Sequence, residues 1–193
     1  MAWDVDLAHS SLEFAVRHMV ISTVKGTFSD FTVEPRIDAD DIARSTGTVK
    51  VTVASLDTHE PRRDTHLRSA DFFDVERFPT MTYAVKSVEQ DGDGGYRING
   101  ELTIRDITRE VTLNADVSGP VTDPFGGTRI GVSAAGKLNR HDFGLDWNVV
   151  TEAGGLLVGD DVKISLEAEF VLAQPAAEEN APEAVLEGAP ANK

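Results

Sequence analysis

The 193-residue chain has no cysteine, which excludes a disulfide framework, a thiol nucleophile and a thiolate metal site. No apolar run approaches the ~20 residues that a bilayer-spanning helix needs. Lys and Arg are few, 18 against 33 Asp and Glu for a net charge of −15, and they form no dense cluster. A phosphate backbone attracts such clusters, so nucleic acid is excluded as a partner. Charge alone will not hold the chain on an anionic membrane either. Contact with lipid must run through apolar surface. The opening "MAWDVDLAHS" lacks the basic segment and apolar stretch of a secretory signal, so the expected location is the cytoplasm, with no stable membrane insertion.

Catalytic signatures are also missing. The sequence contains no HExxH, no G-x-S-x-G and no phosphate-binding loop. His9 and His18 are nine residues apart and His59 and His66 seven, spacings with no diagnostic value for a metal. "HSS" and "RSAD" are not nucleophile elbows. No catalytic residue, metal ligand or cofactor is therefore assigned. The histidine–carboxylate groups are expected to be structural, with His9 and Asp6 as a buried hydrogen-bonded pair.

What the chain does have is period-two alternation from residue 3 to 173. "SLEFAVR" sets Leu12, Phe14 and Val16 against Glu13 and Arg17, and "TGTVKVTV" aligns Val49, Val51 and Val53. "TMTYAVKSV" aligns Met81, Tyr83 and Val85, while "YRINGELTIR" aligns Tyr96, Ile98, Leu102 and Ile104. "VTLNADV" and "RIGVSAAGKL" alternate more weakly, and "DVKISLEAEFVL" is the cleanest. Strands with one wet face belong to an antiparallel sheet. With "QDGDGGY" as a hairpin loop, the pattern predicts an all-β fold of about eight strands, an up-and-down barrel or sandwich. Small residues at Ala115, Gly131, Ala134, Ala135 and Gly136 would leave space inside it.

Two segments break the pattern. "PRRDTHLRSA" (61–70) opens on a first-turn proline and predicts one helix, and "DDIARS" (40–45) a short helical turn. Residues 174–193 hold four Glu and one Lys, which is −3 of the −15 and leaves −12 for residues 1–173. Six Ala and three Pro with two larger aliphatics cannot bury enough surface to offset ordering entropy, so this acidic tail is expected to be disordered. Residues 1–173 form the one domain.

The blocks "WDVDLAHSSLEFAVRHMVISTVKGTFSDF", "HLRSADFFDVERFPTMTY", "GELTIRDITREVTL" and "RHDFGLDW", in this order, resemble the YceI-like family. One position departs from its pattern: Asp106 stands where glycine is usual. The resemblance covers roughly residues 3–172. It implies an eight-stranded antiparallel lipocalin-like barrel whose interior is an apolar tunnel for a polyisoprenoid or similar apolar lipid. It also implies a non-catalytic carrier or buffer, often a homodimer. Phe14, Val16, Phe28 and Val51 would line the tunnel, together with Met81, Tyr83, Ile104, Leu113 and Phe170. Phe72 and Phe73 would gate it, and Arg63, His66 and Arg68 would sit where a head group emerges. The alternatives are a ligand-free structural or partner-binding barrel and, more remotely, a hydrolase or isomerase using His and Asp groups.

Overall fold

Alternating apolar and polar residues become an antiparallel sheet of eleven strands in the computed structural model, which describes residues 2–92, 94–150 and 156–173. The tail expected to be disordered lies outside the described residues. The strands are β1 (Trp3–Val5), β2 (Ser11–His18), β3 (Ser22–Phe28), β4 (Phe31–Arg36), β5 (Thr46–Thr52) and β6 (Leu56–Asp57). The single α-helix among the described residues, α1 (Pro61–Arg68), follows, and then β7 (Thr80–Gln90), β8 (Tyr96–Ile104), β9 (Ile107–Thr122), β10 (Thr128–Asn139) and β11 (Val158–Leu172). Ile42–Arg44, in the predicted short helical segment, is a 3-10 turn. Among the described residues no helix is long and apolar enough to cross a membrane.

The all-β class holds, with eleven strands in place of eight. β1 and β6, three and two residues long, are too short to show alternation. Inside and outside follow parity along the long strands: on β9 Val111, Leu113 and Ala115 are buried while Thr112, Asn114 and Asp116 are exposed. Strand order is β4-β5-β7-β8-β9-β10-β11-β2-β3-β6, with β1 on β11. The sheet curls into a half-barrel, and β3 and β4 stand at or beside its two edges without pairing, although only Ser29 and Asp30 separate them. The chain ties this corner together: Thr52 N donates to Asp30 O at 2.9 Å, and β5 runs through the turn Val53–Ser55 into β6, which pairs with β3 at Phe28 and Leu56.

One hydrophobic cluster fills most of the interior, with Phe28, Phe31, Leu56 and Phe143 among its buried members; a smaller one gathers Trp3, Ile130, Ala168 and Phe170. Of the five small residues expected to leave space, Ala115 and Ala134 are buried and Ala135 is exposed. Gly136 leaves no void, because a Cβ there would meet Leu113 Cδ2 at 2.6 Å. The two-residue turn between β8 and β9 puts its positive φ (+58°) on Arg105. Asp106 therefore needs no left-handed backbone, and the missing glycine costs the turn nothing.

Candidate functional site: an apolar cavity inside the barrel

Helix α1 and the loop after it hang together through polar contacts, not an apolar stripe. Glu60 caps the helix, its carboxylate accepting from Arg62 N and Arg63 N at 3.2 and 2.6 Å, as a negative group at an N-terminus should. Asp64 is buried and accepts from Thr58 N at 3.0 Å and Thr58 Oγ1 at 2.5 Å. Leu67, Phe72 and Phe73 then point into a cavity of about 170 Å³ within the curled sheet. Twenty of its twenty-four wall residues are apolar; Glu13, Thr82, Tyr83 and Arg140 are the others.

The structure brings ten of the eleven expected tunnel residues to this one cavity: Phe14, Val16, Phe28, Val51, Phe72, Phe73, Met81, Tyr83, Ile104 and Leu113. Phe170 is the exception. It packs with Trp3 and lines a second apolar cavity of about 120 Å³. Val49, Tyr83, Leu113, Ala134 and Leu166 border both. Phe14 and Phe28 pack at 5.5 Å between ring centroids, and Phe73 meets Phe28 edge-on at 6.2 Å. Phe72 contacts Trp147 at 5.4 Å, and His66 stands edge-on to both. Trp147, absent from the sequence expectations, completes the aromatic group beside the cavity.

The three expected head-group residues divide. Arg63 donates from Nε to Thr58 Oγ1 at 2.7 Å and from Nη2 to Thr58 O at 2.8 Å. Arg68 donates from Nε to Ala54 O at 3.0 Å and from Nη2 to Leu56 O. Both brace the crossover from β5 to α1. His66 shares a hydrogen bond with Asp71 at 2.9 Å and keeps its ring in the aromatic group.

Sequence reasoning missed Arg140, although it lies in the quoted block "RHDFGLDW". This arginine is 2% exposed. Its Nε donates to Gly159 O at 3.0 Å and its Nη1 to Trp147 O at 3.0 Å and to Leu145 O. Nη2 finds no hydrogen-bond partner, but lies 3.5 Å from Asp160 Oδ1. Burial lowers the guanidinium's pKa, while Asp160 opposes that shift. The 3-10 turn Arg140–Phe143 ends at Gly144 with φ +67°, a left-handed position suited to glycine. This places Leu145 in the cavity wall.

The histidine–carboxylate groups lie apart from the cavity wall. His9 Nδ1 meets Asp6 Oδ2 at 2.9 Å, but the imidazole is 64% exposed, so the expected pair exists without the expected burial. Asp6, His9 and Glu169 form a cluster with metal-ligating atoms. Arg129 stands among these carboxylates, donating from Nη1 to Asp6 at 2.9 Å and to Glu169, and from Nε to Asp123 at 2.6 Å. The cluster's negative charge thus already faces a cation of the chain. The hydrogen bond with His9, then that from Arg129, lowers Asp6 to about 2.

Comparisons with known proteins agree with this fold. The YceI-like domain model matches residues 3–170. A UPF0312 protein of Staphylococcus aureus strain MSSA476 is 36% identical over 170 residues, 88% of this chain and 96% of that protein. Among solved structures, Burkholderia cenocepacia BcnA superposes with a TM-score of 0.73 at 22% identity, over 86% of this chain and 99% of that one. The Campylobacter jejuni YCEI protein gives 0.70 at 29% identity, over 82% and 90%. A polyisoprenoid binding domain from Saccharophagus degradans gives 0.62 at 15% identity, over 90% and 99%. Matched along nearly all of its described length and sharing the curled all-β fold, the chain belongs to the YceI-like family.

Proposed function

We propose that the barrel interior holds one long apolar chain, a polyisoprenoid or similar lipid, which the protein carries or buffers without altering it chemically. The observation that carries this reading is the cavity wall, apolar at twenty of twenty-four positions, with Phe72 and Phe73 from the loop after α1 among them. An isoprenoid tail offers no hydrogen bonds. Its affinity comes from apolar area removed from water, at ~25 cal/mol per Å² before ordering costs. The solved polyisoprenoid binding domain of Saccharophagus degradans supports the same ligand class. In this reading Phe72 and Phe73 act as the gate and His66 is the residue placed to meet a head group, since Arg63 and Arg68 already donate to Thr58 and to the Ala54 and Leu56 carbonyls.

Native mass spectrometry and solvent extraction of protein purified without detergent test the proposal. A bound lipid of isoprenoid mass is the expected result. Ala134, small and buried where the two cavities meet, offers a second test. Ala134→Trp fills open space and abolishes lipid uptake with modest loss of stability. If extracts hold no lipid and added polyprenyl compounds leave the melting temperature unchanged, the reading fails. The homodimer implied by the family is checked in the same spectra.

A further inference from the structure

Two apolar cavities lie inside the curled sheet. The larger, about 170 Å³, lies on the α1 side and the smaller, about 120 Å³, at the Phe170 end. Val49, Tyr83, Leu113, Ala134 and Leu166 line both and form the waist between them. Val49 and Tyr83 are direct partners across β5 and β7, and Ala134 and Leu166 across β10 and β11. Tyr83 is the one waist residue with a polar side-chain atom and the largest of the five.

Its ring cannot be regarded as a loose flap. It lies over Gly100, where a Cβ would come within 2.5 Å of Tyr83 Cζ and 2.8 Å of its hydroxyl. Any other residue at position 100 would push the ring away. The hydroxyl reaches Ile98 O at 3.0 Å and Val111 O at 2.9 Å. The one side chain is therefore pinned to three strands, β7 by its backbone and β8 and β9 by its hydroxyl. Burial raises the phenol to about 12, so it stays a neutral donor over the ordinary pH range.

We infer that Tyr83 is the end stop for the apolar chain: it confines the guest to the larger cavity and so sets the longest isoprenoid that is held in full. This specificity role rests on the lipid-binding proposal. Each isoprene unit buried adds affinity roughly in proportion to its area, and units that cannot pass the stop add none.

The test uses the full chain and a graded series of prenyl alcohols: geraniol, farnesol, geranylgeraniol and solanesol. Affinity from competition with a fluorescent fatty probe should rise with length and then level off. Tyr83→Ala should move the levelling to a longer alcohol and raise affinity for it about tenfold or more. Tyr83→Phe, which keeps the ring over Gly100, should leave the break in place. At the break length, the terminal methyls should show nuclear Overhauser contacts to the Tyr83 ring in the unaltered protein. A smooth rise through every length, or missing contacts to that ring, overturns the end stop. So does an unmoved break in a Tyr83→Ala protein with a native circular dichroism spectrum. Failure of the unaltered chain to bind any of the four alcohols sinks the lipid proposal itself, a different result.

Discussion

His66 and Trp147 meet edge to face, ring centroids 4.5 Å apart and planes at 90°, and this contact joins α1 to the loop before β11. Asp71 holds the imidazole from its far side, and Phe72 touches both rings. Trp147→Ala removes the largest member. Unfolding free energy should fall by roughly 1–3 kcal/mol, between the loss of a half-buried aromatic and that of a core one. Bound lipid should leave several-fold faster, by stopped-flow transfer to vesicles, while Trp147→Phe keeps most of both properties. Unchanged release from Trp147→Ala would remove this group from the gate.

Arg140 is the most deeply buried charged side chain among the described residues. Arg140→Met leaves the carbonyls of Leu145, Trp147 and Gly159 without the donors they now accept from. A lost buried charge-assisted network costs on the order of 3–5 kcal/mol. Arg140→Lys should rescue little, because one ammonium cannot reproduce a planar fork aimed at separate carbonyls. Urea midpoints of the three proteins check this.

His141 predicts a pH dependence with a definite sign. Its Nδ1 lies 2.7 Å from Asp146 and its Nε2 2.9 Å from Asp160. The hydrogen bond with Asp146, then that with Asp160, raises its pKa above the usual 6.5. The folded state thus binds the proton more tightly than the unfolded state. The stabilisation is complete below 6.5 and disappears as pH rises through the higher folded value. His9 acts in the same direction through Asp6. At the acid end Asp6, held at about 2 against the usual 3.8, contributes above 3.8 and loses its contribution as pH falls toward 2. Stability should therefore be highest between about pH 4 and 6 from these groups. A proton NMR titration of His141 with its midpoint at or below 6.5 would count against the ion cluster, and His141→Gln should flatten the decline above pH 6.5.

Gly26 carries the ring of its cross-strand partner Phe14. A Cβ at 26 would sit 2.4 Å from Phe14 Cζ and 2.8 Å from a Thr58 methyl. Gly26→Ala must move a ring that lines the larger cavity, so it should overpack the wall at a cost of ~1–3 kcal/mol and weaken lipid uptake. Thermal denaturation and lipid extraction read the two effects separately.

Parity explains why so much of the wall was legible in the sequence. Once Phe14, Val51, Met81 and Leu113 share the apolar phase of their strands, the sheet must turn them to one side. Depth along the strand has no such signal, which is why Phe170 packs with Trp3 and lines the second cavity instead. Arg140 was missed, and Arg63 and Arg68 were placed at a head group. The partners of Arg140 and Arg68 are backbone carbonyls, which every residue type carries, and Arg63 adds the Thr58 hydroxyl to the Thr58 carbonyl; only the folded path of the chain reveals such acceptors. Trp147 reaches His66 through the 3-10 turn at Arg140–Phe143 and the left-handed Gly144, geometry that alternation does not encode.

The unpaired corner between β3 and β4 has a mechanical consequence. In a fully laddered cylinder the circumference is quantised, because strand number and shear are integers. Here β3 and β4 share no register, and the seam near Phe28 and Phe31 is closed by side-chain packing, by Thr52 reaching Asp30 and by the two-residue pairing of β6 with β3. Packing contacts weaken continuously with separation. Only the short β3–β6 ladder and one backbone hydrogen bond resist small changes of the bore here, so under the lipid-binding proposal the sleeve's calibre follows the thickness of a guest whose length the proposed stop at Tyr83 limits.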